Sequence, residues 1–475
     1  MHGPAVSRGV SARCRINEHE TVDHRSEEDS AGWPPIRDKP DAGLTGPHPG
    51  QGVLPAAAVR KGLRSLYVSY FGLREPLVQR QVLPYLAELR QGLDGAWLLT
   101  FEPRSPARWN GAARSALLET LDRRDIQWSH LRYHRKPTVP ATALDIVLGA
   151  LRVVQLARRH RIDVVHCRGH VPMAMGALAK RVLRVRLVFD IRGFLPEEYV
   201  DAGVWRAGGS LFRLTKRVER HLFAAADAFV VLTDRARQHL FGERQDADAF
   251  GRPFAVVPCC VDLDEFVAPE PSGVARAKAA LGIGSRRTYV YAGQLGGWYL
   301  DEALISFLCR ARVRDPSAFA LVVTPSPATR LKEELAKGGF DESSLLIRPA
   351  RPEDVPRYLL AGDVGLSLIK PCFSKLSSSP TKIGEYLAAG LPIVSTAGIG
   401  DVDELLTAHR AGWLLRGMDP AAFDEALRGM DALLAEPGLR MRLRGLAREK
   451  LDLHSVGGRL YRGLYARLAA GAPPS

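Results

Sequence analysis

From residue 63 onward, short apolar runs alternate with stretches of helical period. Runs at 66–70, 96–101, 126–133, 163–167, 186–191, 228–233 and 254–258 have the length and content of strands. Between them, 78–90, 141–161, 171–183 and 211–225 read as helices, with apolar Ile146, Leu148, Leu151, Val154 and Leu156 on the long second one. Residues 262–284 break this rhythm with Pro269, Pro271, Gly273 and Gly282, as a connection between domains does. The alternation then restarts with strands at 288–292, 319–323, 345–347, 364–368 and 393–395, and 421–468 is almost all helical in pattern. Strands separated by helices predict parallel sheets covered on both faces. The expected fold class is therefore α/β, with two tandem doubly wound Rossmann-like domains. Ligands in such sheets bind at the carboxyl ends of strands, so the cleft between the two domains is the expected site.

Residues 1–61 have a different texture. They are rich in Gly, Pro, Asp, Glu and His, show no period, and are expected to form a disordered tail. The rest of the 475 residues can bury a full core without disulfide or metal staples. No run of 18 apolar residues occurs, so no membrane-spanning helix is expected, and residues 1–10 lack the apolar stretch of a secretory signal. The six cysteines, at 14, 167, 259, 260, 309 and 372, form no C-x-x-C pair. That argues against zinc clusters and a disulfide framework, and for a reduced, cytoplasmic protein.

Charge changes the picture. Of the formal +14, residues 61–263 carry 32 basic and 20 acidic side chains, a net +12. A basic first domain attracts polyanions: nucleic acid, anionic lipid or phosphorylated substrates. On 211–225, Arg213, Lys216, Arg217 and Arg220 recur at three or four residues beside Leu211, Leu214, Val218 and Phe223. Two readings stay open: a core helix with a solvated face, or a basic amphipathic helix that docks on an anionic membrane.

Several chemistries lack their motifs. There is no P-loop, no G-x-G-x-x-G after either first strand, no H-E-x-x-H and no G-x-S-x-G. Three D-x-D triplets occur, at Asp246/Asp248, Asp262/Asp264 and Asp401/Asp403, but none has a ligand context, and no metal site is expected. Asp401 reads instead as a helix N-cap.

The most informative stretch is 377–394, S-S-S-P-T-K-I-G-E-Y-L-A-A-G-L-P-I-V. Pro380 suits the first turn of a helix, and Lys382 and Glu385 share one face of it. A lysine and free N–H groups at a helix start favour phosphate. Glu385, one turn further, can accept hydrogen bonds from vicinal hydroxyls such as those of a ribose. An ordinary capped helix with a Lys–Glu pair would look the same locally.

Residues 379–394 resemble the donor-nucleotide signature of the family 4 glycosyltransferases, retaining enzymes of the GT-B fold. Further stretches agree in order. Residues 66–90 resemble the first strand, loop and helix of their acceptor domain. V-H-C-R-G-H and F-D-I-R-G-F-L-P-E-E, within 165–198, resemble cleft-lining loops. V-P-C-C-V-D-L-D-E-F at 257–266 resembles the hinge entry, and A-G-Q-L at 292–295 resembles the G-R-L turn of the donor domain. The resemblance implies an acceptor-side domain at 62–263, a nucleotide-sugar donor domain at 264–450, and a last helix, 451–475, crossing back to the first domain.

The resemblance also implies roles, position by position. Of two glutamates flanking the donor, Glu385 matches the ribose contact, while Ser377 stands where the sugar contact is expected. Gln294, after Gly293, replaces the arginine of the diphosphate clamp, and Trp298 or Tyr299 replaces its lysine. Each lost charge-assisted bond is worth about 1.5–3 kcal/mol. Lys382, with Thr381 and Pro380 at the helix start, is the natural substitute, and Lys370, Lys375 and Arg192 are in reserve. On the acceptor side, Asp190 and Arg192 at a strand end are the expected catalytic pair. Gly72, His166, Arg168, Glu197 and Glu198 are the expected acceptor-side contacts.

The expected function is a retaining, metal-independent glycosyltransferase that needs no cofactor beyond its nucleotide-sugar substrate. Its acceptor would be a glycan or a lipid-linked glycan, as in capsule or exopolysaccharide synthesis. A cytoplasmic location, with an anionic inner membrane face as docking surface and no nucleic-acid partner, fits that reading. A sugar-nucleotide epimerase of the same fold and a noncatalytic nucleotide-sugar-binding protein remain as alternatives.

Overall fold

The computed structural model describes residues 62–470. The expected tail at 1–61 lies outside the described residues. Among the described residues, thirteen strands form two separate, wholly parallel sheets. The first has the order β3-β2-β1-β4-β5-β6-β7, from β1 (Arg64–Ser69), β2 (Gly95–Glu102), β3 (Ile126–Arg132), β4 (Val164–Arg168), β5 (Arg186–Asp190), β6 (Ala228–Val231) and β7 (Phe254–Val256). The second has the order β10-β9-β8-β11-β12-β13, from β8 (Thr288–Ala292), β9 (Phe319–Val323), β10 (Leu345–Arg348), β11 (Val364–Ser367), β12 (Ile393–Thr396) and β13 (Gly412–Leu415). The strand order reverses between β1 and β4 and again between β8 and β11. At such switch points adjacent loops leave the sheet in opposite directions and open a crevice for ligand.

Central strands such as β1, β2, β4 and β8 are buried along nearly their whole length, so they read as continuous apolar runs. β13 escaped sequence reading because it is a half-buried edge strand of four residues. The helix expected over 78–90 is two helices, Pro76–Gln81 and Leu83–Arg90. Pro84 in the first turn of the second cannot continue a preceding helix.

Thr138–His160 departs from expectation more sharply. By length and composition it could cross a membrane, with a mean hydropathy of 1.5 over its most apolar window, although a third of that window is buried. Asp145, Gly149 and Arg152 interrupt the apolar run without lowering the average enough. Ala150, Val153, Leu156 and Ala157 pack into the core under the first sheet, and Asp145 is buried, accepting from Tyr70 Oη at 2.8 Å. Leu144, Val147 and Leu151 remain exposed.

The chain passes between the sheets twice, and the two crossings lie side by side. Val261 N–H donates to Leu451 O at 2.8 Å, and Leu453 N–H donates to Val261 O at 2.9 Å. The last helix, Arg459–Ala470, then buries Tyr461, Leu464, Tyr465 and Leu468 against Val164, Val188 and Val230 of the first sheet.

Candidate functional site

The segment 378–380 leads into the helix Thr381–Ala388 with Pro380 in an extended conformation at its N-cap. Ser379 Oγ accepts the Cys259 N–H at 3.0 Å, which ties the helix start to the crossing between domains. Tyr386 fixes the helix to the strand ends: its hydroxyl accepts the Ala292 N–H at 2.9 Å and donates to Leu366 O at 3.0 Å.

Lys382 is turned inward and only 6% exposed. Its ammonium lies 4.3 Å from the ring centroids of both Tyr291 and Tyr299, and its Nζ has no hydrogen-bond partner among the described residues. A cation between two aromatic faces is attracted by their quadrupoles but keeps its donors unused. Gly293 makes the arrangement possible. Its φ is +138°, and a Cβ there would stand 3.0 Å from Lys382 Nζ. Burial pushes the Lys382 ammonium down to about 7, with only Glu385 opposing. Glu385 is half-buried. Its carboxyl is raised by burial and pulled back by Arg80 and Lys382.

The other expected donor contacts are placed differently. Ser377 is buried, and its hydroxyl donates to Ser374 O at 2.8 Å, completing a short turn of helix. Gln294 is exposed, and its carbonyl accepts the Tyr291 hydroxyl. Trp298 carries the Lys375 ammonium 3.8 Å from its ring centroid. Burial lowers Lys375, against the opposing charge of Glu198, whose carboxylate lies 3.9 Å away on the first domain.

On the acceptor side, β4 and β5 end together, with Arg168 opposite Asp190 in register. Asp190 is fully buried. Tyr67 Oη donates to its carboxylate at 3.0 Å and Arg192 at 3.3 Å, while Tyr461 Oη lies at 3.4 Å, His166 Nε2 at 3.5 Å and Arg168 Nη1 at 3.8 Å. Burial alone would raise the Asp190 carboxyl, but Arg192, His166 and Arg168 hold it well below the usual carboxylate range. Burial keeps His166 low, hence neutral near pH 7. The expected catalytic pair is thus a buried ion pair: Asp190 acts as counterion to two arginines, and its oxygens are already occupied. His166, in the middle of β4, places its Nδ1 3.1 Å from Tyr465 Oη, while its buried Nε2 has no hydrogen-bond partner among the described residues.

A residue that sequence reading passed over joins the two halves. Gln81 Oε1 accepts from Arg168 Nη2 at 2.8 Å and from Arg192 Nη2 at 3.1 Å, and Gln81 Nε2 donates to Thr381 Oγ1 at 2.6 Å. One carboxamide therefore links two arginines of the first domain, Arg168 at the end of β4 and Arg192 just past β5, to the first residue of the second domain's helix. No motif marks Gln81. Tyr461 and Tyr465 did carry a signal, since spacing of four puts them on one helix face.

Gly72 does not border open space. A Cβ there would stand 2.7 Å from the buried Glu102 carboxylate, which accepts the Leu73 N–H at 2.7 Å. Glu197 pairs with Lys216 at 3.0 Å, and Glu198 packs over Gly193. Asp401 occupies the N-cap position of its own helix, yet its carboxylate accepts the N–H groups of Asp234 and Arg235, at 2.6 and 3.2 Å, at a helix start in the first domain. Asp262, Asp264 and His454 place ligand atoms within 4.8 Å of one another, but His454 already pairs with Glu88 at 2.7 Å. A cavity of about 1180 Å³ lies at the amino ends of β8, β9 and β11, where Lys278 and Arg440 pair with Asp363, and Arg314 pairs with Asp431, away from the carboxyl ends of the strands.

Comparison with known proteins places this geometry. Residues 105–265 match the family model described as Glycosyltransferase Family 4, and residues 286–430 match Glycosyl transferases group 1. Together they cover well over half of the chain. No curated protein matches it in sequence. Among solved structures, a glycosyltransferase from Rickettsia africae is similar with a TM-score of 0.65 at 15% identity, over 86% of this chain and 100% of that one. Anabaena HepE, solved with UDP and glucose, gives 0.61 at 14% identity, over 85% and 99%. Sucrose-phosphate synthase from Thermosynechococcus elongatus gives 0.64 at 14% identity, over 85% and 99%. The structural likeness carries the fold, the two family models carry the family, and the chain belongs to the family 4 glycosyltransferases, with a GT-B architecture.

Proposed function

We propose that this glycosyltransferase is a retaining, metal-independent enzyme that moves a sugar from a nucleoside-diphosphate donor to a glycan or lipid-linked glycan at the cytoplasmic face of a membrane. One observation carries the donor reading. Lys382 keeps an unpartnered ammonium inside the protein, beside Gly293 and at a helix start, and that arrangement is costly unless an anion arrives. A donor diphosphate meeting Lys382, Thr381 and the free N–H groups of that helix would have its developing negative charge stabilised as the sugar departs. Glu385, one turn on, has no protein partner among the hydrogen bonds of the described residues and is free to accept from ribose. The complexes of HepE with UDP-glucose put uridine nucleotides first among donors to test. Retention rests on the family, and metal independence on a cationic rather than acidic diphosphate environment.

The acceptor and membrane parts rest on the first domain. Leu211, Leu214 and Val218 are exposed, Leu214 by 58%, among exposed Arg213, Arg217 and Arg220, while Glu219 and Leu222 face inward. These apolar residues are not core, and a basic face carrying exposed leucines suits an anionic bilayer that holds a lipid-linked acceptor.

Calorimetric titration of nucleoside diphosphates and nucleotide sugars into wild type and Glu385→Ala tests the donor reading. Binding of one base class, weakened about tenfold or more in the variant, supports it. Absence of binding by every member of the panel overturns it.

A further inference from the structure

The charges of the Gln81 network do not balance. Arg168 and Arg192 both have Asp190 as their acidic partner, and His166 is neutral near pH 7, so one buried and one largely buried guanidinium group share one carboxylate. Arg168 is only 5% exposed, and among the described residues neither its Nη1 nor Arg192 Nε has a hydrogen-bond partner. Gln81, a neutral group, takes one N–H from each arginine and hands its own to Thr381, the neighbour of the unpartnered Lys382. Unbalanced buried charge is destabilising, and its persistence marks a place where an anion is received.

We infer that Arg168 and Arg192 supply, from the acceptor domain, the cationic contacts to the donor diphosphate that Gln294 and Trp298 do not supply from the donor domain, with Gln81 holding both arginines in place. The inference rests on the donor reading above and deepens it. Asp190 orients the guanidinium groups from behind without cancelling both charges. Gln81 spans the cleft to Thr381, so the arginines are positioned toward the helix start where Lys382 and its free N–H groups lie. A fork of N–H donors suits phosphate oxygens better than a point charge does.

The test uses Gln81→Glu, Arg168→Gln and two probes, inorganic pyrophosphate and whichever nucleoside diphosphate the wild type binds. Gln81→Glu is nearly isosteric and supplies the missing negative charge between the arginines. It is expected to fold with a melting temperature at or above wild type, and to bind pyrophosphate and the nucleoside diphosphate at least tenfold more weakly. Binding of the corresponding nucleoside without phosphates should change less than twofold. Arg168→Gln should show the same selective loss, and if it fails to fold, Gln81→Glu alone decides. Wild-type affinity for the diphosphate in Gln81→Glu would overturn the inference while leaving the donor reading intact, and so would a lowered melting temperature. Pyrophosphate binding lost in the variant, with no nucleoside diphosphate bound by wild type, would support the cationic site and overturn the donor reading. Failure of wild type to bind either probe would overturn both.

Discussion

The Lys382 ammonium lies 3.0 Å from the point where a Cβ on Gly293 would stand. The space for that cation exists because position 293 has no side chain, and its backbone, at φ +138°, is one that other residues rarely adopt. Gly293→Ala is therefore expected to displace the ammonium and strain the turn after β8 together. Such strain costs about 1–3 kcal/mol. Urea denaturation should show a loss of that size, and nucleoside-diphosphate affinity should fall at least tenfold. An unchanged affinity would show that Lys382 binds no phosphate.

The same cation sets a pH dependence. Lys382 is held at about 7 by burial, whereas an exposed lysine titrates near 10.4. A bound diphosphate favours the charged form, so above pH 7 binding should take up a proton. Calorimetry at pH 8 in buffers of different ionisation enthalpy should report that uptake, and affinity should fall as pH rises from 7 to 9. For the free protein the sign is opposite. Between about 7 and 10.4 the unfolded chain holds more protons at this site than the folded one, so the Lys382 contribution to stability rises with pH. Lys382→Met should remove both effects and raise the melting temperature at pH 7.

Much of this arrangement was legible before any coordinates. The pattern of buried strands and helices gave two parallel sheets because central parallel strands are apolar on both faces, as β4 and β8 are. The lysine at the helix start was visible for the same reason: residue type and spacing are local properties. What stayed hidden depends on distant contacts. Ser377 and Asp190 are polar residues at expected site positions, yet burial consumes both, in a turn and in an ion pair respectively. Gln81 and Thr381 are 300 residues apart, and no local pattern announces their hydrogen bond. Trp298, which stands where the clamp's lysine is expected, is covered by Lys375 from the short helix Phe373–Ser377 of the same domain.

The ion pair at the first-sheet switch point makes a separate prediction. Asp190 is held well below the usual carboxylate range by Arg192, His166 and Arg168, against the effect of burial. A depressed carboxylate contributes stability above its unfolded value, near 3.9, and loses that contribution as pH falls toward its folded value. Asp190→Asn leaves the buried Arg168 and the largely buried Arg192 without a counterion. Breaking such a pair costs about 3–5 kcal/mol. Urea midpoints should differ by a corresponding amount at pH 7, and the gap should narrow below about pH 4, where the unfolded wild-type chain takes up a proton at Asp190 that the folded one does not. A gap that stays constant across that range would show that packing, not charge, holds the site.

The exposed face of Ser210–Ala225 predicts a partner outside the protein. Leu211, Leu214 and Val218 lie in solvent among Arg213, Arg217 and Arg220, while Lys216 turns toward Glu197 and Glu219. Each arginine near an anionic bilayer contributes about 1 kcal/mol, screened by salt, and inserted leucines add a contribution that salt does not remove. The wild type should therefore sediment with vesicles containing phosphatidylglycerol at low salt and only partly dissociate at 0.5 M. Leu214→Asp combined with Val218→Asp should abolish the salt-resistant part, with no change in melting temperature, because neither side chain is buried in the fold. Sedimentation of the wild type at background level in low salt would assign this face to solvent and leave the lipid-linked acceptor without support from the structure.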